Sequence, residues 1–251
     1  MERDTVIITG GTSGIGLATA RRFLARGWNV AICGRSKERG AAALEELLRI
    51  GEAKNILFIQ MNVASVAECA QAAKRAADFF GNISALVNSA GIYFEKAIED
   101  MQEEDFDEIM NTNIKGTYFM CRECVPHLKK RGRGAIVNVS SDAGLNGNFF
   151  CSAYCASKGA VTVFTKALAL ELAPYNINVN CVCPGDIDTP LTRRQLTAGN
   201  EAAELSEMKR LYPAGRIGTA DEVARVIEFL AIEAGFVAGA AWCVDGGLTA
   251  Y

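Results

Sequence analysis

The 251-residue chain contains no Pro/Ser-rich linker, no low-complexity tract and no block of like charge to mark a boundary. One large α/β domain over 1–251 is therefore expected in place of two small ones. No repeat of solenoid period is visible. Long hydrophobic runs are also missing: the longest nearly apolar stretch, Ala234 to Val244, is too short to span a bilayer. After Met1-Glu-Arg-Asp4 the chain enters a short apolar strand, far short of a signal-peptide core. A soluble, cytoplasmic protein with no membrane partner is expected. An excess of positive charge is lacking, with a net charge of −3 and a pI near 5.4, which argues against a nucleic-acid surface. The short basic run Lys129-Lys-Arg-Gly-Arg133 reads as a solvated helix end. Nine cysteines are present, but they do not form the framework of a small secreted scaffold and read as free thiols in a reducing compartment. Cys121 and Cys124 with His127 line one helical side; a fourth ligand is not evident, so no metal is expected.

What is present is evenly spread. Half the residues are hydrophobic, and short apolar segments recur at Val6 to Thr9, Trp28 to Cys33, Ile56 to Gln60, Ile83 to Asn88, Ala135 to Val139, Ile177 to Val182 and Ala240 to Val244. Helical stretches separate nearly all of them, the first running from about Gly14 to Arg26. Strands alternating with helices imply right-handed crossovers and a mostly parallel sheet covered on both faces. The first strand breaks into a helix at Thr9-Gly-Gly-Thr-Ser-Gly-Ile-Gly16. Glycines there let a backbone approach a pyrophosphate, and the helix start offers unpaired N–H groups at its positive end. The fold class that follows is α/β, a Rossmann-like doubly wound, mostly parallel seven-stranded sheet with helices on both faces.

A second motif carries chemistry. Tyr154 and Lys158 stand four apart in Ser152-Ala-Tyr-Cys-Ala-Ser-Lys158, with Ser141 thirteen residues before Tyr154. On a helix those two side chains share a face. A free phenol titrates near pH ~10, and a neighbouring cation draws that value toward neutrality, so Tyr154 would become a usable acid and base. The pair alone is weak; its conjunction with the glycine turn and Asn88-Ser-Ala-Gly91 points to hydride transfer from a nicotinamide cofactor.

With these segments in order, the chain resembles the short-chain dehydrogenase/reductase family, in its single-domain subclass, along essentially its whole length. Asn88-Ser-Ala-Gly91 resembles that family's Asn-Asn-Ala-Gly segment, with Ser89 where Asn is frequent, and Asn113-Ile-Lys-Gly116 its helix asparagine. Pro184-Gly185 with Thr189 resembles the element beside the nicotinamide, and Val244-Asp-Gly-Gly247 the end of the last strand. The resemblance implies four catalytic positions. Tyr154 would exchange the proton with the substrate oxygen, Ser141 would hydrogen-bond that oxygen, Lys158 would hold the nicotinamide ribose, and Asn113 would anchor a relaying water. It implies cofactor contacts from Gly10, Thr12, Ser13, Gly14, Ile15 and Gly16, from Arg35, from Asn62 and Val63, from Asn88, Ala90 and Gly91, from Tyr154 and Lys158, and from Pro184, Gly185, Ile187 and Thr189. Asn62 stands where relatives often carry an acid to contact adenine.

Four further expectations follow. The second strand ends at Gly34-Arg35 with no carboxylate for a ribose diol, so NADP(H) is expected ahead of NAD(H). The segment 186–215 is expected to form a lid over a small-molecule substrate, with Tyr93, Phe94, Phe149 and Phe150 as pocket candidates. That substrate is expected to be a free hydrophobic alcohol or ketone, such as a hydroxysteroid or fatty metabolite; 3-oxoacyl-carrier-protein reduction and a non-catalytic dinucleotide sensor are the alternatives. A homo-oligomer, tetramer or dimer, is expected, because the helices around Asp107 to Arg131 and Ser152 to Ala173 carry a second apolar face.

Overall fold

The computed structural model describes residues 3–250. Met1, Glu2 and Tyr251, the ends of the expected 1–251 domain, lie outside the described residues. In chain order the first half comprises β1 (Thr5–Thr9), α1 (Gly14–Ala25), β2 (Asn29–Gly34), α2 (Lys37–Leu47), β3 (Ile56–Gln60), α3 (Val66–Phe80), β4 (Ala85–Asn88) and α4 (Glu103–Met110). A π-helical turn (Asn111–Lys115) leads into α5 (Gly116–Arg131), followed by β5 (Gly134–Val139), α6 (Ser152–Leu172) and β6 (Ile177–Pro184). The rest is β7 (Ile187–Asp188), α7 (Pro190–Arg193), α8 (Glu201–Arg210), β8 (Gly218–Thr219), α9 (Ala220–Ile232) and β9 (Ala241–Val244).

All seven expected strands are present and form one sheet, in the order β3-β2-β1-β4-β5-β6-β9, with every neighbouring pair parallel. The period-2 alternation of the strands separates two cores. Ile7, Ala31, Leu86, Ile136 and Val179 meet α3, α5 and α6 on one face, through Ala72, Met120, Leu128 and Leu172. Val6, Ile8, Val30, Ile32, Val87, Val137 and Val182 meet α1, α2 and α9 on the other, through Phe23, Leu47, Val223 and Ile227. Because both faces are covered, the strands are mostly apolar on both sides, which is why they read as short hydrophobic runs.

Helix ends follow local chemistry. Ser36 and Ser65 accept from the backbone N–H groups of Arg39 and Glu68 to start α2 and α3, and Thr219 with Glu222 forms a capping box for α9. Gly81 and Gly132 take left-handed backbone and end α3 and α5. The stretch read as one helix from Asp107 is interrupted by the π turn, which carries Asn113 inward; Asn113 is fully buried. A short parallel pair, β7 with β8, stands apart from the main sheet and fixes the root of the 186–215 segment. Strands of two residues are too short to show a sequence period. The strand order reverses between β1 and β4, and the carboxyl ends of the strands open there into a crevice.

Candidate active site

The glycine turn lies at that reversal. Gly10 has φ +65°, and a Cβ on it would come within 2.9 Å of the Ala90 backbone. A Cβ on Gly16 would lie 2.4 Å from the Gly10 carbonyl oxygen. The Thr9 hydroxyl accepts from the N–H groups of Ser89 and Ala90 at 3.1 and 3.2 Å, tying the turn to the end of β4. Ser13 precedes α1 without capping it, so the first N–H groups of that helix face the crevice free of a side-chain acceptor. A bare backbone cradle at a helix start suits a pyrophosphate, so these residues fit a dinucleotide.

The opposite wall comes from β5 and α6. Ser140 donates to the Lys158 carbonyl at 3.0 Å and pins α6 to the end of β5. Ser141 donates to Asp142 Oδ1 at 2.7 Å and accepts from the Ala143 N–H at 3.2 Å. Lys158 is buried, and its Nζ donates to the Val139 carbonyl at 2.9 Å and lies 5.8 Å from the Tyr154 ring centroid. Asn113 Nδ2 donates to the Ile92 carbonyl and to Ser157 Oγ, each at 3.0 Å, while its Oδ1 accepts from the Ile92 N–H at 2.9 Å. A Cβ on Gly91 would meet both Asn113 Oδ1 at 3.3 Å and Lys158 Nζ at 3.5 Å, so the amide and the ammonium flank one spot.

The electrostatics of this wall correct one expectation. Burial pushes the Tyr154 phenol well above its ordinary value, a Ser141 hydrogen bond opposes the rise, and the Asp142 carboxylate adds to it. Burial also draws the neighbouring Lys158 ammonium down to about 8. The same loss of water thus favours the neutral form of both groups, the protonated phenol and the free amine.

The turn and the wall enclose a cleft of about 710 Å³. Of the expected contacts it is lined by Gly10, Thr12, Ser13, Gly14, Ile15, Arg35, Asn62, Val63, Ala90, Gly91, Ser141, Tyr154, Lys158, Pro184, Gly185, Ile187 and Thr189. Gly16, Asn88 and Asn113 do not line it. Gly16 is the site where α1 passes the Gly10 carbonyl, a packing role. Asn88 is buried beneath the site; its Nδ2 donates to Asn138 Oδ1 at 2.9 Å and reaches Cys121 Sγ at 3.2 Å, so it braces β4 against β5. Cys121 faces the core, its thiol pushed by burial to about 12, and burial raises the Cys124 thiol well above its ordinary value too. Tyr93 and Phe149 line the cleft, whereas Phe94 and Phe150 do not.

Sequence reasoning missed several lining residues. Arg39 sits one helical turn beyond Arg35, just past the Ser36 cap. Glu95, Asp142, Asp186 and Tyr212 line the end beyond Tyr154. Asp142 and Asp186 directly follow Ser141 and Gly185, and that adjacency was their only signal.

The comparisons with known proteins agree with this geometry. Residues 4–199 match the family model for short chain dehydrogenase. This chain belongs to the short-chain dehydrogenase/reductase family. It is 40% identical to an uncharacterized oxidoreductase of Thermotoga maritima, covering 98% of this chain and 97% of that one. It is 36% identical to a 3-oxoacyl-acyl-carrier-protein reductase of Chlamydia pneumoniae, over 97% and 96% of the two chains. An NADP-dependent (R)-specific alcohol dehydrogenase of Lentilactobacillus kefiri is 37% identical over 100% and 98%. Among solved structures, levodione reductase superposes with a TM-score of 0.95 at 30% identity, covering 98% of each chain. ElxO with NADP bound superposes with a TM-score of 0.91 at 33% identity, over 99% and 100%. As a member of this family with such relatives, the protein is an enzyme, an oxidoreductase.

Proposed function

We propose that the protein interconverts a secondary alcohol and a ketone by hydride transfer with NADP(H). The observation that carries this reading is the convergence of Ser141, Tyr154 and Lys158 on one wall of a cleft that begins at the glycine cradle. Tyr154 gives its proton to the carbonyl oxygen in reduction and takes it back in oxidation. Ser141 hydrogen-bonds the same oxygen and stabilises the charge it gains. Lys158 holds the ribose hydroxyls beside Tyr154, and the adjacent Asn113 fixes the backbone around Ile92 that frames them. The dinucleotide supplies or accepts the hydride; the chain supplies position and electrostatics.

NADP(H) is preferred on this reading because Arg35 and Arg39 both line the cleft beyond β2, are exposed, and enter no ion pair among the described residues. Two free guanidinium groups suit a phosphate, and no carboxylate ends β2 to bind a diol. Replacing both arginines with alanine is expected to lower catalytic efficiency with NADPH by about tenfold or more and to leave NADH little changed. Equal or better efficiency of the intact enzyme with NADH defeats the preference.

The reaction itself is tested by following nicotinamide absorbance with a panel of ketones and secondary alcohols. Tyr154→Phe is expected to cut turnover by ~10²–10⁴ while cofactor affinity stays near normal, since the ring still packs and only the proton is removed. Near-normal turnover in that variant rules out the assigned proton exchange.

A further inference from the structure

The segment after β4 grips the start of α6, the helix that carries Tyr154. Its root is held by Asn113, which bonds both the N–H and the carbonyl of Ile92. The next residue, Tyr93, is half-buried, and its ring meets that of Tyr154 in a T-shaped contact, with centroids 4.7 Å apart and planes at 85°. Its far end is tied down as well. Tyr93 Oη donates to Glu95 Oε1 at 2.5 Å and lies 3.3 Å from the Sγ of Cys151, the residue just before α6. A second tie runs alongside: the Lys96 N–H donates to the Phe150 carbonyl at 2.8 Å. Phe150 has φ +56°, a left-handed backbone that a bulky residue rarely adopts and that persists only where its surroundings enforce it.

From these contacts we infer that Tyr93 is a positioning residue for the proton exchange: it fixes the plane of the Tyr154 ring and shields that ring from water. The inference rests on the role given to Tyr154 in the proposed reaction. Rotation of a tyrosine ring about its last torsion has a broad energy profile, so packing decides the plane of the ring. That rotation leaves the phenol oxygen in place but swings its proton, because conjugation keeps a phenolic O–H near the plane of its ring. A Tyr154 ring held at right angles to Tyr93 therefore offers its proton in one fixed plane. Tyr93 is not a second acid. Burial first, then its bonds to Cys151 and Glu95, raise its phenol far above the ordinary value, so it keeps its own proton. The shielding has a sign. Burial is also the largest cause of the raised Tyr154 phenol, so water admitted through the space of the Tyr93 ring lowers it. The other titratable groups acting on or facing Tyr154 are Asp142 after β5, Cys151 and Cys155 at the start of α6, and Lys158 one turn further on. Glu95 is exposed and bonded to Tyr93.

The test compares Tyr93→Ala, Tyr93→Leu and Tyr93→Phe with the parent enzyme, using NADP⁺ and the best alcohol of the panel that tests the reaction. Tyr93→Ala and Tyr93→Leu are expected to lower the single-turnover rate of NADPH formation on the order of tenfold or more, because a small misplacement of a reacting group is costly. Their NADPH affinity, by fluorescence titration, is expected to stay near normal. Tyr93→Phe keeps the ring and is expected to recover most of the lost rate. The acid limb of the pH profile for alcohol oxidation reports formation of the phenolate; in Tyr93→Ala it is expected to move to lower pH by roughly half a unit or more. In Tyr93→Phe it is expected to stay. A normal rate in Tyr93→Ala, a defect confined to substrate or NADPH affinity, or a Tyr93→Phe variant as slow as Tyr93→Ala overturns the inference while the proposed reaction stands. So does a limb that stays in place or moves upward in Tyr93→Ala. If thermal melts show that neither the alanine nor the leucine variant folds, the ring serves stability first and the inference falls. A parent enzyme that turns over no alcohol or ketone removes the proposed reaction and this role with it.

Discussion

At the residue scale, the most consequential side chain is the buried Lys158. The sequence placed it beside Tyr154, and the helix does so, but four-residue spacing says nothing of the water each group has lost. Depressed to about 8 from 10.5, the lysine resists protonation in the folded chain more than in the unfolded one. The sign of the linkage follows. Below about 8 both states are protonated and the folded state carries the whole penalty; between 8 and 10.5 the unfolded state binds more protons, so stability from this group rises with pH; above 10.5 the penalty is gone. A shift of this size corresponds to at most about 3 kcal/mol, reduced by the bond that Nζ gives to Val139. Lys158→Met is therefore expected to inactivate the enzyme yet raise its melting temperature at neutral pH by several degrees, with the advantage shrinking as pH climbs toward 10.5. Paired thermal melts at neutral and alkaline pH check this, and a variant less stable than the parent at both would show that the lysine is well solvated after all. Such a group is kept for function at a cost in stability.

At the element scale, the turn between β1 and α1 was the most legible part of the site, because every glycine in it answers a local demand. Gly16 shows the limit of that legibility: the motif suggests a cofactor contact, and the geometry gives a crossing of α1 over the Gly10 carbonyl. Gly16→Ala is expected to force the turn apart, costing about 1–3 kcal/mol and most of the cofactor affinity together. A melt combined with NADPH titration tests it; weakened binding at unchanged melting temperature would return Gly16 to the list of direct contacts. The strands were equally readable, since both faces of the sheet are covered and each strand is a short apolar run. The π turn around Asn113 and the β7–β8 pair were not, because one residue of excess winding and two-residue strands leave no period. Glu95, Asp142 and Asp186 were hidden for another reason. They come from three separate loops after β4, β5 and β6, and only the strand order brings them to one end of the cleft.

At the scale of the whole molecule, the parallel sheet leaves two surfaces unpartnered within the described chain. On α5 and α6, Tyr118 is exposed and its ring lies against that of Phe164, while Val163 is 65% and Leu170 81% exposed. Those side chains are the second apolar stripe that the sequence suggested, and they lie opposite the face that packs on β4, β5 and β6. At β9, an edge strand of the sheet, the Trp242 ring lies 5.6 Å from that of Phe229 at a tilt of 43°, and Phe236 is fully exposed. An open strand edge beside exposed aromatic rings is a surface that soluble proteins usually cover. Two separate patches, each able to pair with its own copy about a two-fold axis, generate a closed assembly of four chains, whereas one patch would stop at two. Light scattering is expected to give four times the 26.9 kDa chain mass. Leu170→Glu with Val163→Glu would place charge on one patch only, so that variant should fall to a dimer held by the β9 edge, with its sheet and cofactor affinity retained. A parent protein that scatters as a monomer at micromolar concentration ends the argument. A double variant that remains a tetramer moves the interface off α6, because two buried carboxylates per subunit without partners would cost more than a helix contact can supply.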